Sequence, residues 1–311
     1  MHDGELRVLE TTERVAEVVS KAPTIRLLSL GAGVQSTTLA LLAIEGKSLP
    51  KLDGAIFADT GWEPAAVYEH LNRLGAELQR AGIPLHRVAQ GNLRKDFLDP
   101  THRYASIPYF VRGADGSRGI GRRQCTSEYK LAPINRKVRE LLGAKPPKFR
   151  SVPRGRVAEQ WIGFSTDEVG RVSDRRGVLY QWKRYPLLEL GMDRKACERW
   201  LRAHGWNSIA KSACIGCPYH GNAMWRDLRD NRPNEWADAV AFDKAIRKGG
   251  SRGTPLSGEA FLHASRLPLS IAPIDHVTRK EWGERQGTCS TCSKTASRMV
   301  AARTVAVPAR P

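Results

Sequence analysis

Thr24-Ile25-Arg26-Leu27-Leu28-Ser29-Leu30-Gly31-Ala32-Gly33-Val34-Gln35-Ser36-Thr37-Thr38 is the stretch whose reading decides the fold. Its first half, aliphatic and β-branched, reads as a buried strand; its second half is a small-residue loop that runs into the apolar helical stretch Leu39 to Ile44. Strand, small-residue loop and helix form a phosphate-binding arrangement. Gly31 and Gly33 let the backbone approach an anion, successive N–H groups point inward, and the helix start adds partial positive charge. Ser36 and Thr37 add hydroxyl donors. No Gly-Lys-Ser/Thr follows and no G-x-G-x-x-G is present, so the loop is neither a Walker A loop nor a dinucleotide fingerprint. A tight turn with no ligand would use the same residue types, and that reading stays open at this point.

Outward from this stretch, Leu52 to Ala58 reads as a second strand, Ala65 to Leu78 as a helix, and Leu85 to Val88 as a short third strand. Such alternation predicts an α/β fold with a doubly wound parallel sheet, whose ligands sit at the carboxyl ends of the strands. Asp59 lies at such an end, placed to meet a ribose, to hold Mg²⁺ beside phosphates, or only to cap the next helix. Gln160 to Phe164 is a further strand, ending near Ser165 and Arg171. Arg194 to His204, Ala223 to Arg229 and Glu235 to Ile246 are helices, with Trp200, Trp206, Trp225 and Trp236 as core anchors.

Two basic stretches interrupt the pattern. Arg112 to Arg123 is glycine- and arginine-rich and reads as a mobile loop, and Lys145 to Arg156 is a Pro-rich run beyond a helix from Tyr129 to Leu142. Both are expected near the cysteine-bearing edge, where they would grip phosphates. The 311 residues carry 50 Lys and Arg against 32 Asp and Glu, a formal net charge of +18 that points to a polyanionic partner such as nucleic acid. A solubility charge is the bland alternative.

No apolar run reaches the roughly 20 residues that a bilayer requires. The charged arm 1–23 has no signal-peptide character, so a cytoplasmic protein with no membrane partner is expected. In that compartment, six cysteines point to metal or catalysis and not to disulfides. Cys125, the knuckle Cys214-Ile215-Gly216-Cys217 and His220 would make a tetrahedral Cys₃His zinc site. Cys197, on an amphipathic helix, reads as a core cysteine. The expected organisation is an arm 1–23, a nucleotide-binding α/β domain 24–190, a helical metal subdomain 191–250 carrying the C-x-x-C, and a partly disordered extension 251–311.

Five motifs in order resemble the phosphoadenosine phosphosulfate (PAPS) reductase family of the adenine nucleotide α-hydrolase, or N-type ATP pyrophosphatase, superfamily, over roughly residues 24 to 230. They are the Gly31 to Ser36 loop, Asp59-Thr60-Gly61, Arg123-Gln124-Cys125-Thr126 with Lys130 and Pro133, Gly163 to Arg171, and Cys214-x-x-Cys217-Pro218. Gln35 stands where the family has an Asp, Thr126 where it has a second Cys, and the family's C-terminal catalytic cysteine motif is missing, with only Cys289 and Cys292 in that region.

The resemblance implies an adenine nucleotide, ATP or PAPS with an optional Mg²⁺, held by Gly31, Gly33, Ser36, Thr37, Asp59, Gly163 and Arg171. It also implies a [4Fe–4S] cluster on Cys125, Cys214 and Cys217, with a fourth ligand from Cys289, Cys292 or elsewhere. Ser36, Asp59, Cys289 and Cys292 are the candidate catalytic residues. The implied activity is adenylation followed by thiolation of nucleic acid, drawing on a sulfur donor. The alternatives are a sulfonucleotide reductase that uses a thioredoxin-like reductant and releases sulfite, and a non-catalytic, metal-stabilised nucleic-acid binder.

Overall fold

The computed structural model describes residues 23–102, 107–172, 178–249, 256–279 and 281. Strand β1 (Ile25–Ser29) leads into helix α1 (Val34–Glu45), β2 (Gly54–Asp59) into α2 (Ala65–Arg80), and β3 (Leu85–Ala89) into the short α3 (Leu93–Leu98). A hairpin follows, β4 (Phe110–Arg112) and β5 (Arg118–Ile120), then a π-helical turn, Thr126–Leu131, continuous with α4 (Ala132–Leu141). β6 (Ala158–Ile162), β7 (Gln181–Arg184), α5 (Pro186–Glu189), α6 (Arg194–Ala203), α7 (Asn222–Asn231), α8 (Pro233–Ala245) and β8 (Glu259–Phe261) follow, with 3₁₀ turns at Thr166–Arg171 and Leu269–Ile271.

The main sheet has the order β3-β2-β1-β6-β7, every neighbour parallel. This is the doubly wound α/β class expected. The chain builds outward from β1 to β3, then returns to β1's other side with β6, so the switch point lies between β1 and β6. Ser29 pairs with Ile162 there, and the two loops that leave these strands start level. α1 is apolar nearly all round because it is covered twice: Val34, Leu39, Leu41 and Leu42 share one core with Leu28 and Trp161 of the sheet and with Cys197 and Leu201 of α6. Gly46 ends the helix in the left-handed conformation that favours glycine, φ 66°.

A second core joins Trp62, Phe97 and Tyr129 to Trp225, Phe242 and Leu262. It unites α7 and α8 with an antiparallel sheet of order β5-β4-β8. Helix α6, Trp200 and Trp206 pack on the first core, whereas Trp225 and Trp236 belong to the second. Among the described residues, no helix is long and apolar enough to cross a membrane.

Two expectations are corrected. Arg112 to Arg123 is no irregular loop: Arg112 pairs with Arg118 across the hairpin and with Glu259 of β8. Lys145 to Arg156 does not lie near the cysteines. It feeds Val157, whose carbonyl accepts from the Thr24 N–H at 2.8 Å, so it lies at the amino edge of the sheet, a strand length of about 17 Å from the carboxyl edge. Residues 256–279 of the extension are built into the second core through Ala260, Leu262, Leu269 and Ile274.

Candidate functional site

The loop after β1 is held by its own serine. Ser36 Oγ accepts the N–H groups of Gly31 (3.2 Å) and Gly33 (3.3 Å) and donates to the Gly33 carbonyl (3.2 Å). Ala32 adopts φ 55°, a left-handed conformation at a residue other than glycine. The Gly33 carbonyl receives the first helical bond, from Thr37 N–H at 2.9 Å, which leaves the amides of Val34, Gln35 and Ser36 without a partner inside the helix.

Gly163, at the exit of β6, faces these amides: a Cβ there would stand 3.1 Å from Ser36 N. A glycine keeps this cradle open, as an anion at a helix N-terminus requires. Gln35 donates to Ser165 Oγ (3.3 Å) and Glu168 Oε2 (3.1 Å), tying α1 to the β6 exit. Arg171 pairs with Glu168, and its guanidinium lies 4.4 Å from the centre of the Phe164 ring. Thr37 is not among the loop donors. Its side chain is buried and hydrogen-bonded to His70 Nε2 at 2.8 Å.

At the exit of β2, Asp59 Oδ1 accepts the Gly61 N–H (2.7 Å) and the Tyr68 hydroxyl (2.8 Å). Burial, then Asp59, holds the Tyr68 phenol far above its ordinary range. The turn so fixed delivers Thr60 and Glu63 to the cysteines. Thr60 Oγ1 donates to Glu63 Oε1 at 3.2 Å and lies 3.2 Å from Cys214 Sγ, while the Cys214 thiol also lies 3.7 Å from Glu63 Oε1. Glu63 is buried, pairs with Lys130 at 3.4 Å, and keeps Oε2 without a hydrogen-bond partner. Burial and Glu63 push the Cys214 thiol far up. Cys217 is raised by burial and opposed by the Tyr219 N–H, Lys130 and Arg123. The charge of Cys125 acts on both Cys217 and Lys130, so the three thiols share one neighbourhood around that ammonium.

The knuckle needs its glycine: a Cβ on Gly216 would meet the Trp62 ring at 2.1 Å. His220 Nε2 faces the carbonyls of Cys214 (2.9 Å) and Ile215 (3.1 Å), which fixes the proton on Nε2; burial pushes this imidazole down to about 4. His220 therefore braces the knuckle through Nε2, and its buried Nδ1 keeps no hydrogen-bond partner. Among the described residues, no three His, Cys, Asp or Glu side chains are grouped to hold a single metal ion. A four-iron cluster sets its cysteines further apart than one ion does, and three thiols with the half-exposed Lys130 ammonium beside them fit its donor chemistry. Cys197 is buried against α1, its thiol raised to about 11, as a core cysteine. Cys289 and Cys292 lie outside the described residues.

Loop and thiols adjoin. A Cβ on Gly33 would lie 3.8 Å from Ser212 Cβ, and Cys214 follows two positions later. Thr60 and Glu63 were legible only as part of a strand-end motif; their contact with Cys214 spans more than 150 residues, 154 for Thr60 and 151 for Glu63.

No protein-family model matches the chain, and no curated protein matches it. Among solved structures, the U34-tRNA thiolase NcsA from Methanococcus maripaludis with its [4Fe–4S] cluster aligns at a TM-score of 0.40 and 14% identity, covering 78% of this chain and 80% of that one. A likeness of that size carries no assignment of function, which rests on the residues themselves.

Proposed function

We propose that this protein is a PAPS reductase-like, adenine-nucleotide-dependent sulfurtransferase acting on nucleic acid. The observation that carries the reading is the adjacency of two chemistries: an amide-lined helix start at the switch point, and the cysteine patch, whose Cys214 lies two residues beyond Ser212, the residue a Cβ on Gly33 would meet at 3.8 Å. Replacing an oxygen by sulfur needs a nucleotide to activate the oxygen and thiol chemistry beside it. The net charge of +18 supports a polyanionic substrate.

The amides of Val34, Gln35 and Ser36 and the positive end of α1 bind the phosphates of ATP. A substrate oxygen attacks the α-phosphorus, pyrophosphate leaves with the bonding electrons, and the same amides hold the charge that gathers on the phosphoryl oxygens. Asp59, with Oδ1 committed to Gly61 and Tyr68, would turn Oδ2 to the ribose or to a Mg²⁺ accompanying the phosphates. Sulfur from a donor then attacks the activated carbon, and AMP departs with the oxygen. Cys125, Cys214 and Cys217 would hold the [4Fe–4S] cluster, which supplies an open iron position for sulfur when bound. Ligation removes thiol protons, and the line from Cys214 Sγ through Thr60 Oγ1 to Glu63 gives one of them a route. Lys130 balances the negative charge left behind.

Anaerobically purified protein should contain stoichiometric iron and sulfide, and should release AMP and pyrophosphate from ATP when a nucleic acid substrate is present. Cys125→Ser, Cys214→Ser and Cys217→Ser should each lose the metal; full retention in any two would sink the cysteine assignment. Sulfite release from PAPS without nucleic acid would establish the reductase instead.

A further inference from the structure

We infer that the nucleic acid is engaged as a single strand, with an unpaired base stacked on Tyr219 at the rim of the cysteine patch; this rests on the sulfurtransferase reading above. Among the described residues, Tyr219 is the one aromatic side chain left exposed, at 50% of its surface. The rings of the second core, Trp225, Tyr129 and Phe242, are by contrast fully buried.

The ring is also held in place. Tyr219 sits inside the turn that the His220 N–H closes on the Cys217 carbonyl at 3.0 Å, so the knuckle that positions the cysteine positions the tyrosine. From the other strand of the site, the Arg123 guanidinium lies 5.2 Å from the ring centre, while its Nε donates to Thr126 Oγ1 at 3.0 Å. Arg123 is two positions from Cys125 and Tyr219 two from Cys217, so ring and cation come from the two segments that bring the thiols together.

An exposed π face with a guanidinium against it is what a base-stacking platform requires: the ring takes any base, and the cation meets the flanking phosphate. Exposed Arg118, Ile120 and Arg122 extend the patch along β5 and the segment after it. A duplex keeps its bases stacked on each other and would offer this ring nothing. A protein partner would call for a contiguous apolar surface, and here the Arg123 guanidinium lies against the ring, with exposed Arg122 next to it in the chain.

The test measures anisotropy of a labelled oligouridine strand and of a duplex of equal length at low salt, for the wild-type protein, Tyr219→Ala and Tyr219→Phe. A second readout places in the strand a fluorescent adenine analogue whose emission falls on stacking. The wild type and Tyr219→Phe should prefer the single strand and quench the analogue. Tyr219→Ala should bind the strand roughly tenfold or more weakly and lose the quenching, with metal content and ATP affinity unchanged. Equal binding and quenching by Tyr219→Ala would overturn the platform and leave the sulfurtransferase reading intact. No binding of either nucleic acid by the wild type would overturn that reading itself, and the platform with it.

Discussion

Gly33 and Gly163 stand where a side chain would compete with an anion, but they do so differently. Gly163 is hemmed in by Ser36 N at 3.1 Å, whereas Gly33 has room, with Ser212 at 3.8 Å, and holds the extended φ −105° of a helix N-cap. Asp is among the best N-cap residues, so Gly33→Asp should leave thermal stability unchanged or raise it by a few tenths of a kcal/mol. Its carboxylate would bond the very amides that await a phosphate, and ATP affinity should fall by about 10- to 100-fold, the worth of a charge-assisted hydrogen bond. Calorimetric titration beside a thermal melt separates the two effects; unchanged ATP affinity in a folded Gly33→Asp protein would remove the loop from the site. Single residues were the hardest level to read in the sequence. Thr37 turned inward to His70, 33 residues on, because a side chain's direction depends on partners far along the chain.

Helices α1 and α2 are joined by a buried contact that titrates. His70 meets Thr37 at 2.8 Å and sets its ring edge-on to Trp206, and burial, aided by Arg73, lowers it from 6.5 to about 4. The unfolded chain takes up this proton near 6.5 and the folded protein only near 4. Stability from His70 is therefore complete above the higher value and is lost as the pH falls between the two, by about 1.4 kcal/mol per pH unit at most. His70→Gln keeps a partner for Thr37 without the titration, and melting temperatures from pH 7 to 4 should decline less steeply in that variant. Strands β1, β2, β3 and β6 were legible from their aliphatic and β-branched content and α2 from its period, whereas β7, Gln181-Trp182-Lys183-Arg184, offered no such run and was not read. The hairpin was not: Arg118-Gly119-Ile120 has no pattern of its own, and β4 is held by Glu259-Ala260-Phe261, equally anonymous in a Gly-, Ser- and Pro-rich segment.

Across the whole molecule, the two basic stretches that look alike in sequence lie at opposite edges of the sheet. Only the hairpin and the arginines after it share the edge of the site, so neutralising Arg118, Arg122 and Arg123 should flatten the logarithmic salt dependence of nucleic-acid binding by roughly 2. Neutralising Lys148, Arg150 and Arg154 should leave that slope unchanged; the reverse result would assign the nucleic acid to the other edge.

The pairing of β4 with β8 also sets a timetable. Arg112 and its partner Glu259 are 147 residues apart, and Phe110 lies against Phe261. At the pace of a translating ribosome, β8 emerges roughly 7 to 30 s after β4. The nucleotide loop and its parallel strands are complete well before then. During synthesis the loop after β1 and its parallel strands can form while the basic hairpin still lacks a flanking strand, so the face that carries the hairpin is finished last among the described strands.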